Sequence, residues 1–176
     1  KWNLANGMAA LYHNATGSYN TALGFQALNR NFTGYSNVAI GSRTLFSNTD
    51  RSNLVAIGDS ALFNNGKDVI EYDHARHNTA VGSKALFGNT KGYKNTAVGS
   101  NSLYSNTAGE SNTAFGVDAM KANTTGNGNT ASGREALYRN STGRYNTAHG
   151  CFALLRNETG YRNTAIGFDA GPSTNN

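Results

Sequence analysis

The chain repeats the pattern Asn-Thr-Ala-x-Gly at intervals of 17 residues along nearly its whole length. Seven copies follow the pattern strictly, and they begin at Asn20, Asn78, Asn95, Asn112, Asn129, Asn146 and Asn163. Three looser copies begin at Asn3, Asn37 and Leu54. A period this regular predicts a stack of ten similar units in which each unit contacts mainly its neighbours. The function of such a repeat is therefore not expected to reside in one catalytic pocket.

Counted from the first Asn, one repeat is N-T-A-x-G-x-x-A-L-x-x-N-x-T-G-x-x, and positions 1 to 17 below refer to this numbering. Position 3 is Ala in all ten copies, position 8 is small, and position 9 is Leu or Met in every copy except the last, where it is Gly171. Seventeen residues are too few for two packed helices, because helical repeats need about 33 residues or more. We therefore expect an all-β fold, a parallel β-solenoid with a strand on N-T-A-x. Positions 6 to 11 fit either a second strand or one helical turn.

Glycine and asparagine mark the expected corners of each coil. Gly at position 5 and Thr-Gly at positions 14 and 15 predict corners where φ is positive or two backbones approach closely. Asn at position 12 predicts a third corner, because Asn tolerates the left-handed region. Stacking would also place these Asn side chains in a hydrogen-bonded ladder with a spacing of about 4.8 Å. The predicted ladder consists of Asn14, Asn31, Asn48, Asn65, Asn89, Asn106, Asn123, Asn140 and Asn157.

Each coil offers one large apolar side chain and two alanines, which predicts a thin core with the Leu column inside. Aromatic residues add two further stripes that we expect to be exposed on a single chain. They are Phe46, Phe63, Phe87, Tyr104 and Tyr138 at position 10, and Tyr19, Tyr35, Tyr93, Tyr145 and Tyr161 at positions 16 or 17. Association would bury such a stripe along a shared axis. We therefore expect self-association, as a homotrimer or as a head-to-tail filament.

The fourth repeat is seven residues longer than the others, and the additional residues lie within an inserted loop at 66–77. Insertions in solenoids emerge as loops, often on the binding face. Tyr72 is the expected anchor of a binding site, because its ring is apolar and its tip is polar. The flanking candidates are Asp68, Glu71, Asp73, His74 and His77. They match no defined metal-ligand spacing, so no metal is predicted, and a plain solvated loop is the alternative interpretation.

The repeats define a single array over residues 1–171. Pro172 cannot donate a hydrogen bond to a strand ladder, so residues 172–176 are expected to be the end of the array, a tail or a continuation. Neither end shows a polar capping repeat, which predicts a section of a longer fibre or a subunit whose ends stack on others.

Composition and missing motifs argue against several functions. The net charge is +5, but the basic residues are scattered over variable positions, so no nucleic-acid partner is predicted. Cys151 is the one cysteine, which leaves no disulfide framework. No apolar run approaches the ~18 residues of a membrane span, so no membrane insertion is expected. The motifs of serine hydrolases, zinc proteases and phosphate-binding loops are absent, and neither an enzyme nor a cofactor is predicted.

The segments Asn37-Val38-Ala39-Ile40-Gly41 and Val55-Ala56-Ile57-Gly58 resemble the S-V-A-I-G strands of trimeric autotransporter adhesin heads. Arrays of N-T-A-x-G-x-x-A-L also look like segments of phage tail fibres and bacterial surface proteins. This resemblance covers nearly the whole chain, although the repeat here is longer than that of the adhesin heads. It implies a trimer of left-handed parallel β-rolls at a cell surface or on a virion. It further implies a non-enzymatic structural and adhesive role, with a cell-surface glycan or protein as receptor.

Two other functions fit the same repeats. One is a self-assembling extracellular filament subunit. The other is an ice- or polysaccharide-binding solenoid that uses the Thr of position 2. A flat ice-binding face is expected to need paired Thr rows, and only one row is regular here.

Overall fold

The computed structural model describes residues 2–67 and 74–171, and these residues contain ten short strands in one parallel sheet. The strands follow each other across the sheet in chain order. They are β1 (Leu4–Asn6), β2 (Thr21–Leu23), β3 (Val38–Ile40), β4 (Val55–Ile57), β5 (Thr79–Val81), β6 (Thr96–Val98), β7 (Thr113–Phe115), β8 (Thr130–Ser132), β9 (Thr147–His149) and β10 (Thr164–Ile166). The predicted parallel β-solenoid of 17-residue coils is confirmed.

The register of the sheet follows the repeat. Ala97 of β6 pairs with Ala114 of β7, and Ala131 of β8 pairs with Ala148 of β9, each at the same repeat position. The longer fourth coil keeps this register, since Ala56 of β4 pairs with Ala80 of β5. The strand covers positions 2 to 4 only. Positions 6 to 11 form turns, so neither a second strand nor a helix occupies them in the described residues.

Backbone hydrogen bonds between coils continue well beyond the strands. The amide at position 9 donates to the carbonyl at position 8 of the next coil, as in Leu103 N to Ala119 O at 3.0 Å. The amide at position 5 donates to position 4 of the preceding coil, as in Gly116 N to Val98 O at 2.8 Å. Because the neighbouring coils satisfy the backbone groups of the turns, three-residue strands are sufficient to hold the stack together.

The corners are only partly where the sequence places them. Gly at position 5 has a positive φ, and an added Cβ on Gly133 (φ 137°) would lie 2.5 Å from the Gly150 carbonyl oxygen, so this predicted corner is confirmed. The predicted corner at position 12 is wrong, because no Asn there has a positive φ. The left-handed residues instead recur at positions 7, 9 and 17. They include the core leucines, such as Leu103 with φ 51°.

The core is a set of columns that run along the stack. Ala at positions 3 and 8 and Leu or Met at position 9 are buried in nearly every coil, which confirms the expected inward Leu column. The fully buried members of this column are Leu28, Leu45, Leu62, Leu86, Leu103, Met120 and Leu137. Two columns of Asn complete the interior. The inside of the coil is therefore part apolar and part carboxamide.

Candidate functional site

The nine asparagines at position 12 form a continuous ladder inside the stack. From Asn31 onward each side-chain amide donates to the Oδ1 of the Asn one coil earlier, at distances from 2.8 Å (Asn123 to Asn106) to 3.4 Å (Asn65 to Asn48). The series runs through Asn14, Asn31, Asn48, Asn65, Asn89, Asn106, Asn123, Asn140 and Asn157. The same amides also donate to the carbonyl at position 15 of their own coil in most repeats, as in Asn106 to Gly109 O at 3.0 Å.

A second Asn column, at position 1, was not assigned a role from the sequence. Its Nδ2 donates to the position-15 carbonyl of the same coil, as in Asn112 to Gly126 O at 2.8 Å. Its Oδ1 accepts the position-1 amide of the next coil, as from Asn129 N at 3.0 Å. The constancy of the first Asn in N-T-A-x-G was the signal for this role. Both columns are held by internal hydrogen bonds, which leaves ligand binding to the outer surface.

The outer face of the sheet carries the side chains of positions 2 and 4. Position 2 is Thr in seven coils and Leu or Val in the other three, and from Thr113 onward this row is Thr and exposed. Position 4 is aliphatic in coils two to six, and it ends in Phe115, which is 54% exposed. In the following coils the same row contains Ser132, His149 and Ile166. This face is therefore apolar in its first half and mixed in its second.

The position-10 aromatics form a stacked ladder. The ring centroids of Phe46, Phe63, Phe87 and Tyr104 are 5.2, 5.2 and 5.3 Å apart, with planes within 14° of parallel. These rings are half-buried, so the expectation of an exposed position-10 stripe is wrong for them. The reason is geometric, because rings at one coil spacing cover each other's faces. The ring of Tyr138 is also half-buried, under the Lys121 Nζ at 5.7 Å.

The inserted loop is described only at its end. Asp68, Glu71, Tyr72 and Asp73 lie outside the described residues, whereas His74 and His77 lie within them. These two histidines line a groove of about 450 Å³ together with Arg76, Tyr93 and Lys94. We call it the first groove.

Ring contacts shape the first groove. The His74 and Tyr93 rings stack with centroids 6.4 Å apart, and the Lys94 Nζ lies 5.6 Å from the Tyr93 centroid. The described lining is therefore basic and aromatic.

A second groove lies near the end of the array, and its residues were not predicted as a site. Its volume is about 460 Å³, and it is lined by Thr142, Arg144, Tyr145, Thr159, Tyr161 and Arg162. Tyr145 is 62% exposed and Tyr161 is 68% exposed, as expected for tyrosines of positions 16 and 17. Among the described residues neither Arg144 nor Arg162 forms a salt bridge. The sequence feature that marks this groove is Arg-Tyr at positions 16 and 17 of one coil followed by Tyr-Arg at the same positions of the next coil.

Other chemistry is not assembled in the part of the chain that the structure describes. No three His, Cys, Asp or Glu side chains there are grouped so that they could hold a metal ion. Cys151 is a free, half-buried thiol. Within 2–67 and 74–171 the chain forms no helix long and apolar enough to cross a membrane.

No protein-family model, no curated protein and no solved structure matches this chain. The relation to adhesin heads and tail fibres is therefore a resemblance of repeat motifs.

Proposed function

We propose that the chain is a non-enzymatic structural and adhesive solenoid, a segment of a bacterial surface adhesin or of a phage tail fibre. It would act outside the cell or on a virion. The observation that carries this proposal is the separation between the interior and the surface of the coil. The constant Ala, Leu, Asn and Gly positions build the stack, while the positions that vary from coil to coil lie outside.

This construction suits a stiff spacer that presents binding groups. Neighbouring coils are tied together by backbone bonds and by two columns of side-chain amides, the second of which is interrupted at Leu54. The free energy of such a stack is close to the sum of the coils and their interfaces, so length can be extended without a new core. Contacts repeated along one surface give avidity even where each contact is weak.

Self-association through a lateral face is part of the proposal, with a homotrimer as the expected assembly. The outer sheet face supports it, because its position-4 row is aliphatic over Leu23, Ile40, Ile57, Val81 and Val98. Burial of apolar surface stabilises by about 25 cal/mol per Å². A receptor on a cell surface, either glycan or protein, is the expected partner.

The adhesive role is tested by coating beads with the folded chain and counting their attachment to a panel of bacterial and animal cells. Beads coated with the heat-denatured chain are the control. The proposal expects attachment by the folded chain only, rising steeply with coating density as avidity requires. Attachment to no surface would remove the adhesive role, and turnover of a surface glycan by the purified chain would contradict a non-enzymatic role.

The Thr row gives limited support to an ice-binding alternative. Thr113, Thr130 and Thr147 are exposed and in register on one face. The neighbouring position-4 row varies from Phe115 to Ser132 over one coil step, which interrupts a flat surface. Thermal hysteresis of the purified chain would favour this alternative over adhesion.

A further inference from the structure

The first and second grooves are two copies of one arrangement. Each lies between two successive coils, and its lining uses positions 14, 16 and 17. The matching pairs, first groove then second, are His74 and Thr142, Arg76 and Arg144, His77 and Tyr145, Tyr93 and Tyr161, and Lys94 and Arg162. In each groove the Arg at position 16 of the first coil therefore lines the groove together with the Tyr at position 16 of the next coil. The aromatic residue at position 17 of the first coil does so together with the Lys or Arg at position 17 of the next coil.

The backbone under the two grooves is also equivalent. Lys94 N donates to Arg76 O at 3.1 Å, and Arg162 N donates to Arg144 O at 3.0 Å. The position-17 residues are left-handed in both grooves, with φ 56° at Lys94 and 57° at Arg162. The volumes agree as well, at about 450 and 460 Å³. Both grooves thus present an Arg and a Tyr at position 16 and a cation at position 17 of the second coil, although Arg76 is buried and Arg144 is exposed.

The lining selects an anion that also has apolar and hydroxyl surface. Guanidinium groups bind carboxylates with two parallel hydrogen bonds. The Tyr145 and Tyr161 rings offer flat apolar faces with polar tips, and the hydroxyls of Thr142 and Thr159 can donate or accept. Sugar rings that carry carboxylates combine these three requirements.

The distance between the grooves sets the length of polymer that can reach both. They begin in the fourth and eighth coils, which are four steps of about 4.8 Å apart, or about 19 Å. A polysaccharide chain at least that long can therefore reach both grooves at once, whereas a shorter chain can occupy only one groove at a time.

We propose that the two grooves are equivalent subsites for one linear acidic polysaccharide that bears carboxylates. Arg144 and Arg162 bind the carboxylate in the second groove, and the exposed Lys94 does so in the first, where Arg76 is buried. The tyrosines of both grooves pack on the sugar rings. This assignment rests on the proposed adhesive role and gives that role a ligand class.

Isothermal titration calorimetry with the full chain tests the proposal, using short oligogalacturonate and long polygalacturonate as probes. The short probe is expected to bind at two sites per chain. The double variant Arg144→Gln/Arg162→Gln should retain one site, because loss of charge-assisted hydrogen bonds weakens the second groove at least about tenfold. Lys94→Gln should weaken the first groove in the same way. The long probe should bind ~100-fold or more tighter than the short one, and either variant should lose this gain.

The matched control is Lys84→Gln/Arg139→Gln, which removes the same charge from exposed positions outside both grooves. It should keep two sites and the gain with length. Unchanged stoichiometry in the Arg144/Arg162 variant would overturn the proposal, as would equal binding of fully methyl-esterified polygalacturonate. Tighter binding of single-stranded DNA would assign the grooves to nucleic acid instead.

The two proposals fail in distinguishable ways. Beads that attach to cells while the chain ignores oligogalacturonate would leave the adhesive role standing and remove this ligand class. Binding of oligogalacturonate by a chain that attaches to no surface would do the reverse.

Discussion

Buried carboxamides do at the residue scale what larger apolar side chains do in ordinary cores. Asn106 donates to Asn89 Oδ1 at 2.9 Å and to Gly109 O at 3.0 Å, and its own Oδ1 accepts from Asn123 at 2.8 Å. A buried amide without such partners would be costly, but here each rung supplies the partners of the next. The ladder therefore links neighbouring coils in register as well as filling space.

Asn106→Ala is expected to lower the free energy of unfolding by about 1–3 kcal/mol, because it leaves the amide of Asn123 and the carbonyl of Gly109 without this partner. Urea denaturation followed by circular dichroism measures the change. Ser105→Ala is the matched control, since Ala122 holds the same position one coil later. That control should stay within about 0.5 kcal/mol. Equal midpoints for the two variants would show that the ladder contributes no stability.

At the element scale each coil is one short strand followed by turns, and the sequence indicated this only in part. The strand at N-T-A-x and the corner at position 5 were predictable, because alternation and glycine report directly on backbone geometry. The left-handed Leu103 and its equivalents were not, since this conformation costs ~1–2 kcal/mol for a residue with a Cβ and no local pattern marks it. It is held by the bonds from position 9 to the next coil.

The two grooves were difficult to predict from the sequence for a different reason. His74 and His77 were found because the repeat is interrupted there. Arg144 and Tyr161 lie 17 residues apart, and their proximity depends on the coil register rather than on any local motif.

The aromatic ladder tests whether lateral association involves a surface other than the outer sheet face. Phe87 stacks on Phe63 and Tyr104, with centroids 5.2 and 5.3 Å away, and the stack remains half-exposed. Phe87→Ser should weaken association measured by sedimentation, because it removes apolar area from that surface. The control is Lys91→Ser, a change at an exposed position of the same coil. Equal sedimentation of the two variants would place the association surface elsewhere.

At the scale of the whole molecule the fourth coil shows how the stack accommodates extra chain. The Asn65 side chain donates to Ala75 O at 2.9 Å, although the two residues are ten apart in the sequence. This bond replaces the bond from the position-12 Asn to the position-15 carbonyl that the other coils form. Deleting residues 67–73 restores the 17-residue spacing and joins Gly66 to His74. The deletion should leave the circular dichroism spectrum and the urea midpoint nearly unchanged, because loop length has a small effect on stability.

Ligand binding by the variant that lacks residues 67–73 shows whether the insertion contacts the receptor or is a plain surface loop. The second groove is four coils away, so its oligogalacturonate site should persist. Loss of cell attachment together with an intact fold would locate the receptor contact in the insertion around Tyr72, as the sequence first suggested. Loss of the fold itself would contradict the interpretation of residues 67–73 as an addition to a complete coil.

The central claim is that one hydrogen-bonded coil recurs every 17 residues, and amide hydrogen exchange followed by NMR tests it most directly. The amides of position 9, including Leu86, Leu103, Met120 and Leu137, donate to the neighbouring coil and should exchange slowly. The amides of position 6, including Ser83, Ser100, Val117 and Arg134, donate no backbone hydrogen bond and should exchange fast. The account predicts that this alternation repeats with the 17-residue period through the middle coils. Long continuous runs of protected amides, or protection without that period, would contradict it.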